Sequence, residues 1–305
     1  MKLANNERPQ SDRRMLISFA HPDDESFGMG GTIAYYAQRG VTISLICSTN
    51  GDVGSVDDEH LSGHDSVAAL RLAELECAAG ALGIQEVITF GYRDSGMMGT
   101  PDNEHPECLW QADEAVVAGR IVREIRRLRP QVVVTFDPYG GYGHPDHIFM
   151  HRAATRAFHQ AGDPAAYPEH AAEGLAPYRP AKLYYTAFPR MPLRLMIWQM
   201  RLRGQNPRRV GKNSDLDFQA VLDNQLPTHA RIPVGRYQAA WDAAAGCHAS
   251  QQNLRQSRSP AEIISRLVFR HQDFTRAWPE PARGERRETV EALLHPGDSG
   301  AATRL

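Results

Sequence analysis

A chain of 305 residues, 42 % hydrophobic and 23 % charged, holds enough apolar material for one large core. Its net charge of −2 supplies no field to attract nucleic acid or an anionic membrane surface. No window approaches about 18 unbroken apolar residues, which excludes a membrane-spanning helix. The opening stretch MKLANNERPQSDRR lacks the apolar segment of a secretion signal, so the expected location is cytoplasmic. Cys47, Cys77, Cys108 and Cys247 stand far apart with no C-x-x-C pair. The expectation is reduced, mostly buried thiols rather than a disulfide framework or a cysteine zinc site.

In chain order, short apolar runs alternate with helical patterns. Residues 15–20 (MLISFA) read as a buried strand, 30–40 as a helix ended by Gly40, and 41–49 (VTISLICST) as a second strand. Residues 65–83 form a long amphipathic pattern ended by glycine, and 86–90 (EVITF) a third strand. Residues 112–130 predict a helix closed by Pro130, 131–137 (QVVVTFD) a fourth strand, and 145–160 a further helix. Beyond these, 181–188 reads as a strand, 193–204 as a helix with an exposed apolar face, and 235–254 as a helix. Strand–helix alternation predicts an α/β, Rossmann-like, mostly parallel sheet with helices on both faces, plus a smaller C-terminal α/β extension. The division that follows is a flexible N-terminus at 1–13, a core at 14–180 and a substrate-shaping region at 181–278. A tail at 279–305 is read as disordered beyond a short helix at 287–294.

In parallel sheets ligands gather outside the C-terminal strand ends, and the unusual residues fall there. AHPDDE (20–25) follows the first strand, GYRDSG (91–96) the third and DPYGGYGHPDH (137–147) the fourth. His21 and Asp24, three apart in a turn, are ordinary zinc ligands, and adjacent Asp23 and Asp24 project in different directions, suiting two jobs. A helix-capping surface turn competes with the metal reading of H-P-D-D alone. GMGG (28–31) fails the G-x-G-x-x-G pattern of a dinucleotide loop. His144 and His147 flank Pro145 and can share one face of a helix start, with Asp146 orienting one imidazole. His21, Asp24 and His147 together leave a fourth position for water, the pattern of a catalytic site rather than a closed one.

At AHPDDE (20–25), GYRDSGM (91–97) and GHPDH (143–147), the sequence resembles the LmbE-like (PIG-L) family of zinc-dependent N-acetylglucosamine deacetylases. The resemblance covers roughly residues 13–160 well and the rest loosely. The stretch YRDSGMMGTPDNEHPE (92–107) is most similar to the branch acting on N-acetylglucosaminyl-inositol in mycothiol biosynthesis. The resemblance implies His21, Asp24 and His147 as metal ligands for Zn2+, with Fe2+ an alternative, and Asp23 as general base. It implies His144 as oxyanion donor and general acid, with Asp146 beside it, and Tyr142 as the group polarising the amide carbonyl. Arg71 and Asp94 would meet the sugar or inositol hydroxyls, and His248 of CHASQ (247–251) would line the cleft. An exposed salt bridge for Arg71, a backbone-bonding turn for Asp94 and a structural histidine at 248 stand as competing readings. The implied partner is a small N-acetylglucosamine conjugate, with no nucleic acid and no membrane, and the oligomeric state is left open. Competing functions are an N-acetylglucosaminyl-malate deacetylase of the bacillithiol type, a thiol-conjugate amidase, a nucleotide-binding Rossmann protein and a non-catalytic sugar binder.

Overall fold

The computed structural model describes residues 13–211, 216–251, 270–282 and 285. The expected flexible N-terminus, apart from Arg13, and the expected helix at 287–294 lie outside the described residues. The first half forms strands β1 (Arg14–Phe19), β2 (Thr42–Thr49), β3 (Glu86–Tyr92) and β4 (Val132–Thr135). Between them run helices α1 (Asp24–Ala37), α2 (Asp58–Leu61), α3 (Val67–Leu82) and α4 (Glu114–Leu128). After β4 come α5 (Gly140–Gly143), α6 (Pro145–Gln160), strand β5 (Lys182–Ala187), α7 (Arg190–Leu202) and α8 (Phe218–Asp223). Strand β6 (Ala230–Pro233), helix α9 (Gln238–Cys247) and strand β7 (His271–Trp278) complete it.

The strands form one sheet in the order β3-β2-β1-β4-β5-β7-β6. Pairing is parallel from β3 through β5, and β7 pairs antiparallel with both β5 and β6. Strands β1, β2 and β4 are Val/Ile/Leu-rich runs buried along nearly their whole length, as a sheet covered on both faces requires. Punctuation in the sequence sets the helix ends. The Ser66 hydroxyl accepts the Ala69 N–H to start α3, and Gly83 at φ 78 ends it.

Three expectations are corrected. The first helix begins at Asp24, six residues before the expected start, because its weakly helical glycines hid a turn whose first residues are the acids themselves. The Cys77 and Cys247 thiols are not reduced: they form a disulfide across 170 residues of sequence. Helices α3 and α9 pack side by side and bring the two together, which spacing along the chain cannot reveal. Cys47 and Cys108 are the free, buried thiols expected. Strands β6 and β7 were not foreseen, because β7 buries Gln272, Asp273, Thr275 and Arg276 and so shows no apolar alternation.

Helix α7 presents Met191, Leu195, Trp198 and Leu202 outward, as expected. Its inner residues Leu193 and Ile197 form a small cluster with Val221, against which Tyr139 and Tyr142 pack. That cluster supports the glycine-rich turn after β4. Among the described residues no helix is long and apolar enough to cross a membrane.

Candidate active site

The ends of β1, β3 and β4 bring the three quoted motifs together. His21 Nδ1 lies 3.0 Å from His147 Nε2. The other nitrogen of each ring is already committed. His21 Nε2 is 3.1 Å from Asp146 Oδ2, and His147 Nδ1 is 3.2 Å from the Gly140 carbonyl. Both partners are acceptors, so when both rings are neutral those outer nitrogens carry the hydrogens and the inner pair offers two lone pairs. Asp24 closes the triangle, with Oδ1 3.2 Å from His147 Nε2 and Oδ2 3.5 Å from His21 Nδ1. Facing lone pairs beside a carboxylate are a donor set suited to a cation.

Without a metal cation, the surrounding carboxylates favour a proton at this centre instead. Burial opposes charge on His21, yet Asp94, Asp146 and Asp24 outweigh it and hold its pKa well above the usual histidine value. Burial works against the Asp24 carboxylate too, and His147 outweighs it, so Asp24 stays well below the carboxylate range. Two overlapping groups of buried ligand atoms lie close enough to hold a metal ion: His21, His144 and His147, and His21, Asp94, His144 and Asp146.

Asp23 stands beside this centre at the N-terminus of α1. Arg71 Nη2 donates to Asp23 Oδ2 at 2.8 Å and to the Pro22 carbonyl at 2.6 Å, while Nη1 donates to the Gly51 carbonyl at 2.9 Å. Arg71 is buried, so the exposed-salt-bridge reading fails. Burial pushes the Asp23 carboxyl up to about 6, against the opposing pull of Arg71. The turn reading of Asp94 holds, and the residue also lines the cleft. Its Oδ1 accepts the Gly96 N–H at 2.8 Å, a local turn, and the same oxygen lies 3.6 Å from His21 Nε2.

His144 caps α6: its Nδ1 accepts the Asp146 N–H at 3.2 Å. The hydrogen of the neutral ring is therefore on Nε2. Burial, then the neighbouring His21 and His147, lower its pKa well below the usual value, which favours the neutral ring. The Asp146 carboxylate orients His21 rather than His144, and its remaining capacity takes the Ser95 N–H at 2.9 Å and the Ser95 hydroxyl. Burial raises the Tyr142 pKa far above its usual value, which keeps the phenol protonated. His248 does not line the cleft: it is fully buried, with Nε2 2.7 Å from Glu25 Oε1.

Two cavities meet at Tyr142. One, of about 570 Å³, is the more polar of the two and is lined by His21, Asp23, Arg71, Asp94, Asp102 and His144 among others. The other, of about 480 Å³, is apolar and reaches Asp24 and His147 past Phe27, Phe136, Phe188 and Trp241.

Residues 16–158 match the family model described as PIG-L, GlcNAc-PI de-N-acetylase. A 1D-myo-inositol 2-acetamido-2-deoxy-alpha-D-glucopyranoside deacetylase from Thermobispora bispora is 41 % identical over 253 residues, 79 % of this chain and 80 % of that protein. The chain belongs to the PIG-L family. A similarly named deacetylase from Streptomyces avermitilis is 37 % identical over 94 % of this chain and 97 % of its own length. Among solved structures, the N,N'-diacetylchitobiose deacetylase of Pyrococcus horikoshii shares the fold at TM-score 0.60 and 21 % identity, over 87 % of this chain and 83 % of that one. The 4-carboxy-2-hydroxymuconate hydratase GalB of Pseudomonas putida shares it at TM-score 0.55 and 20 % identity, over 88 % and 98 %. The PIG-L fold therefore carries more than one named chemistry, and the site must decide the reaction.

Within this PIG-L site, sequence reasoning missed three contributors. Ser95 holds Asp146, the Gly51 carbonyl holds Arg71, and Glu25 holds the Asp23 backbone, its Oε2 accepting the Asp23 N–H at 3.1 Å. Ser95 and Glu25 sit inside the quoted motifs, so their position was a signal. Gly51 acts through its backbone and left none.

Proposed function

We propose that the chain hydrolyses the N-acetyl group of an N-acetylglucosamine conjugate, with N-acetylglucosaminyl-inositol as substrate and free amino sugar and acetate as products. The observation that carries this reading is Asp23, a half-buried carboxylate poised at about 6 and held by Arg71 beside the His21, Asp24 and His147 donors. The relatives named as deacetylases of the inositol glycoside support the substrate.

Zinc held by His21, Asp24 and His147 would supply Lewis-acid chemistry, polarising the amide carbonyl and lowering the pKa of a water toward about 7. Asp146 and Asp94 then serve as supports, since Asp146 already holds Ser95 and His21 and Asp94 already holds Gly96. Asp23 accepts the proton of the attacking water as the C–O bond forms. The Nε2–H of neutral His144 and the phenol O–H of Tyr142 donate to the developing oxyanion, and donors of this kind are worth about 2.7–4 kcal/mol each. Asp23 returns the proton to the sugar nitrogen as the C–N bond breaks. The more polar cavity, with Arg71 and Asp94, takes the hydroxyl-rich sugar and inositol.

The test is free-amine release from N-acetylglucosaminyl-inositol and N-acetylglucosaminyl-malate, side by side, by zinc-loaded and chelated protein. Zinc-dependent turnover preferring the inositol substrate is expected. Preference for the malate glycoside reassigns the substrate, and no turnover on either with zinc bound removes the reaction. A cytoplasmic location is part of the reading; it requires the Cys77–Cys247 bridge to persist in a reducing pool, which alkylation of thiols in fresh lysate decides.

A further inference from the structure

Asp23 adopts φ 132, a backbone region that residues bearing a Cβ seldom occupy and that must be held by its surroundings. The hold comes from two sides. On one, Arg71 of α3 grips the Asp23 carboxylate and the Pro22 carbonyl. On the other, Glu25 Oε2 accepts the Asp23 N–H, while Glu25 Oε1 accepts the Ser26 hydroxyl at 2.6 Å. Glu25 has no exposed surface, and a buried carboxylate needs a donor or a cation beside it. His248 is that partner, reaching Glu25 Oε1 through Nε2 from 223 residues away in the chain.

His248 is itself clamped to the helix that carries Arg71. The preceding residue, Cys247, is bridged to Cys77 of α3. Two residues on, the Ser250 N–H and hydroxyl both donate to the Glu74 carboxylate of α3, at 2.8 and 2.7 Å. One helix thus holds the Asp23 side chain directly, and the Asp23 peptide through His248 and Glu25.

We propose that Glu25 and His248 are positioning residues for the base Asp23, and that the Cys77–Cys247 bridge keeps them in place. This rests on the reading of Asp23 as base. Without the imidazole, Glu25 turns toward other donors, the Asp23 peptide relaxes from its strained φ, and the carboxylate leaves its place. Substrate and metal contacts, which His248 does not make, stay as they are. A dithiol reductant would weaken the hold: it ends as its cyclic disulfide, while Cys77 and Cys247 take up two electrons and two protons as thiols.

The experiment compares zinc-loaded wild type, His248→Ala, His248→Gln and the Cys77→Ser/Cys247→Ser pair. It reads kcat, KM, zinc per chain and amide hydrogen exchange across residues 20–30. His248→Ala is expected to lower kcat at least about 10-fold, as misplacement of a catalytic group does. Its KM should stay within about twofold, with zinc stoichiometric and exchange faster at 23–26. His248→Gln, which keeps an N–H for Glu25, should recover much of the loss, and the double serine variant should shift in the same direction as His248→Ala. Wild-type kcat and exchange in His248→Ala overturn the proposal, as does a loss that falls on KM or zinc content. If His248→Ala does not fold, Glu25→Gln is read in the same way. If wild type releases no amine, the reading of the reaction fails by itself, and the exchange data still decide whether His248 holds the Asp23 peptide.

Discussion

Arg71 Nη2 and Asp23 Oδ2 lie 2.8 Å apart, and this partly buried pair joins the long helix α3 to the turn that carries the proposed base. Arg71 also donates to the Pro22 and Gly51 carbonyls, so it fixes the turn as well as the carboxylate. Lysine cannot reproduce three directed contacts from one planar fork. Arg71→Lys should therefore lower kcat by on the order of 10²-fold, the cost of roughly 1 Å of misplacement. Zinc content should be unchanged, and steady-state kinetics with metal analysis check both halves.

Asp23→Asn keeps the shape of the side chain and removes its ability to take a proton. It should retain zinc and lose about 10²–10⁴-fold in kcat, the range for a removed general base. Turnover near the wild-type level would take Asp23 out of the base role.

The parts of this site that the sequence made legible are those carried by residue type and by position after a strand. His21, Asp24 and His147 converge because β1 and β4 are neighbours with their C-terminal ends on one rim. What stayed hidden depends on long-range packing. The Cys77–Cys247 bridge and the His248–Glu25 contact both need α9 laid against α3 and α1, and no local pattern encodes that docking. The role of His144 was half legible: spacing placed it in the cleft, but its charge follows from burial beside two other histidines. In the fold, buried apolar strands announced themselves, whereas β7 fills its buried positions with Gln272, Asp273 and Arg276 and reads as a polar surface segment.

The proposed ligand set of His21, Asp24 and His147 and the buried group of His21, Asp94, His144 and Asp146 make different demands on the acids. If zinc sits between His21, Asp24 and His147, Asp24→Ala removes a ligand and zinc should no longer bind stoichiometrically. Asp94→Asn preserves the turn contact to Gly96 through its amide oxygen and should keep zinc. Metal analysis after dialysis checks the pair, and zinc lost from Asp94→Asn but kept in Asp24→Ala would move the ion to the second group.

Acid should weaken the fold in part through His151, which is half-buried with Nδ1 2.9 Å from the Phe136 carbonyl. Burial lowers its pKa below the ordinary value. The unfolded chain then binds a proton at about pH 6.5 while the folded chain resists, so this contribution is present above about 6.5 and is lost as pH falls below it. Thermal melts of wild type and His151→Gln between about pH 7.5 and 5.5 should show the variant with the shallower decline in Tm.

Gly51 tests whether the Arg71 contact is as tight as its geometry implies. A Cβ built there would lie 2.3 Å from Arg71 Nη1 and 2.6 Å from its Cζ, and the residue sits at φ 64. Gly51→Ala therefore meets strain of order 1–3 kcal/mol and an obstacle that only displacement of the guanidinium can relieve. Because Arg71 holds Asp23, the substitution should cost kcat as Arg71→Lys does, although residue 51 touches neither base nor metal ligands. Gly80, within α3 and with open space about its Cα, supplies the control. There alanine should stabilise the helix by roughly 0.5–1 kcal/mol and leave kcat alone. Equal kinetics for the two alanine variants would show that the site tolerates a displaced Arg71, and that the guanidinium does not position the base.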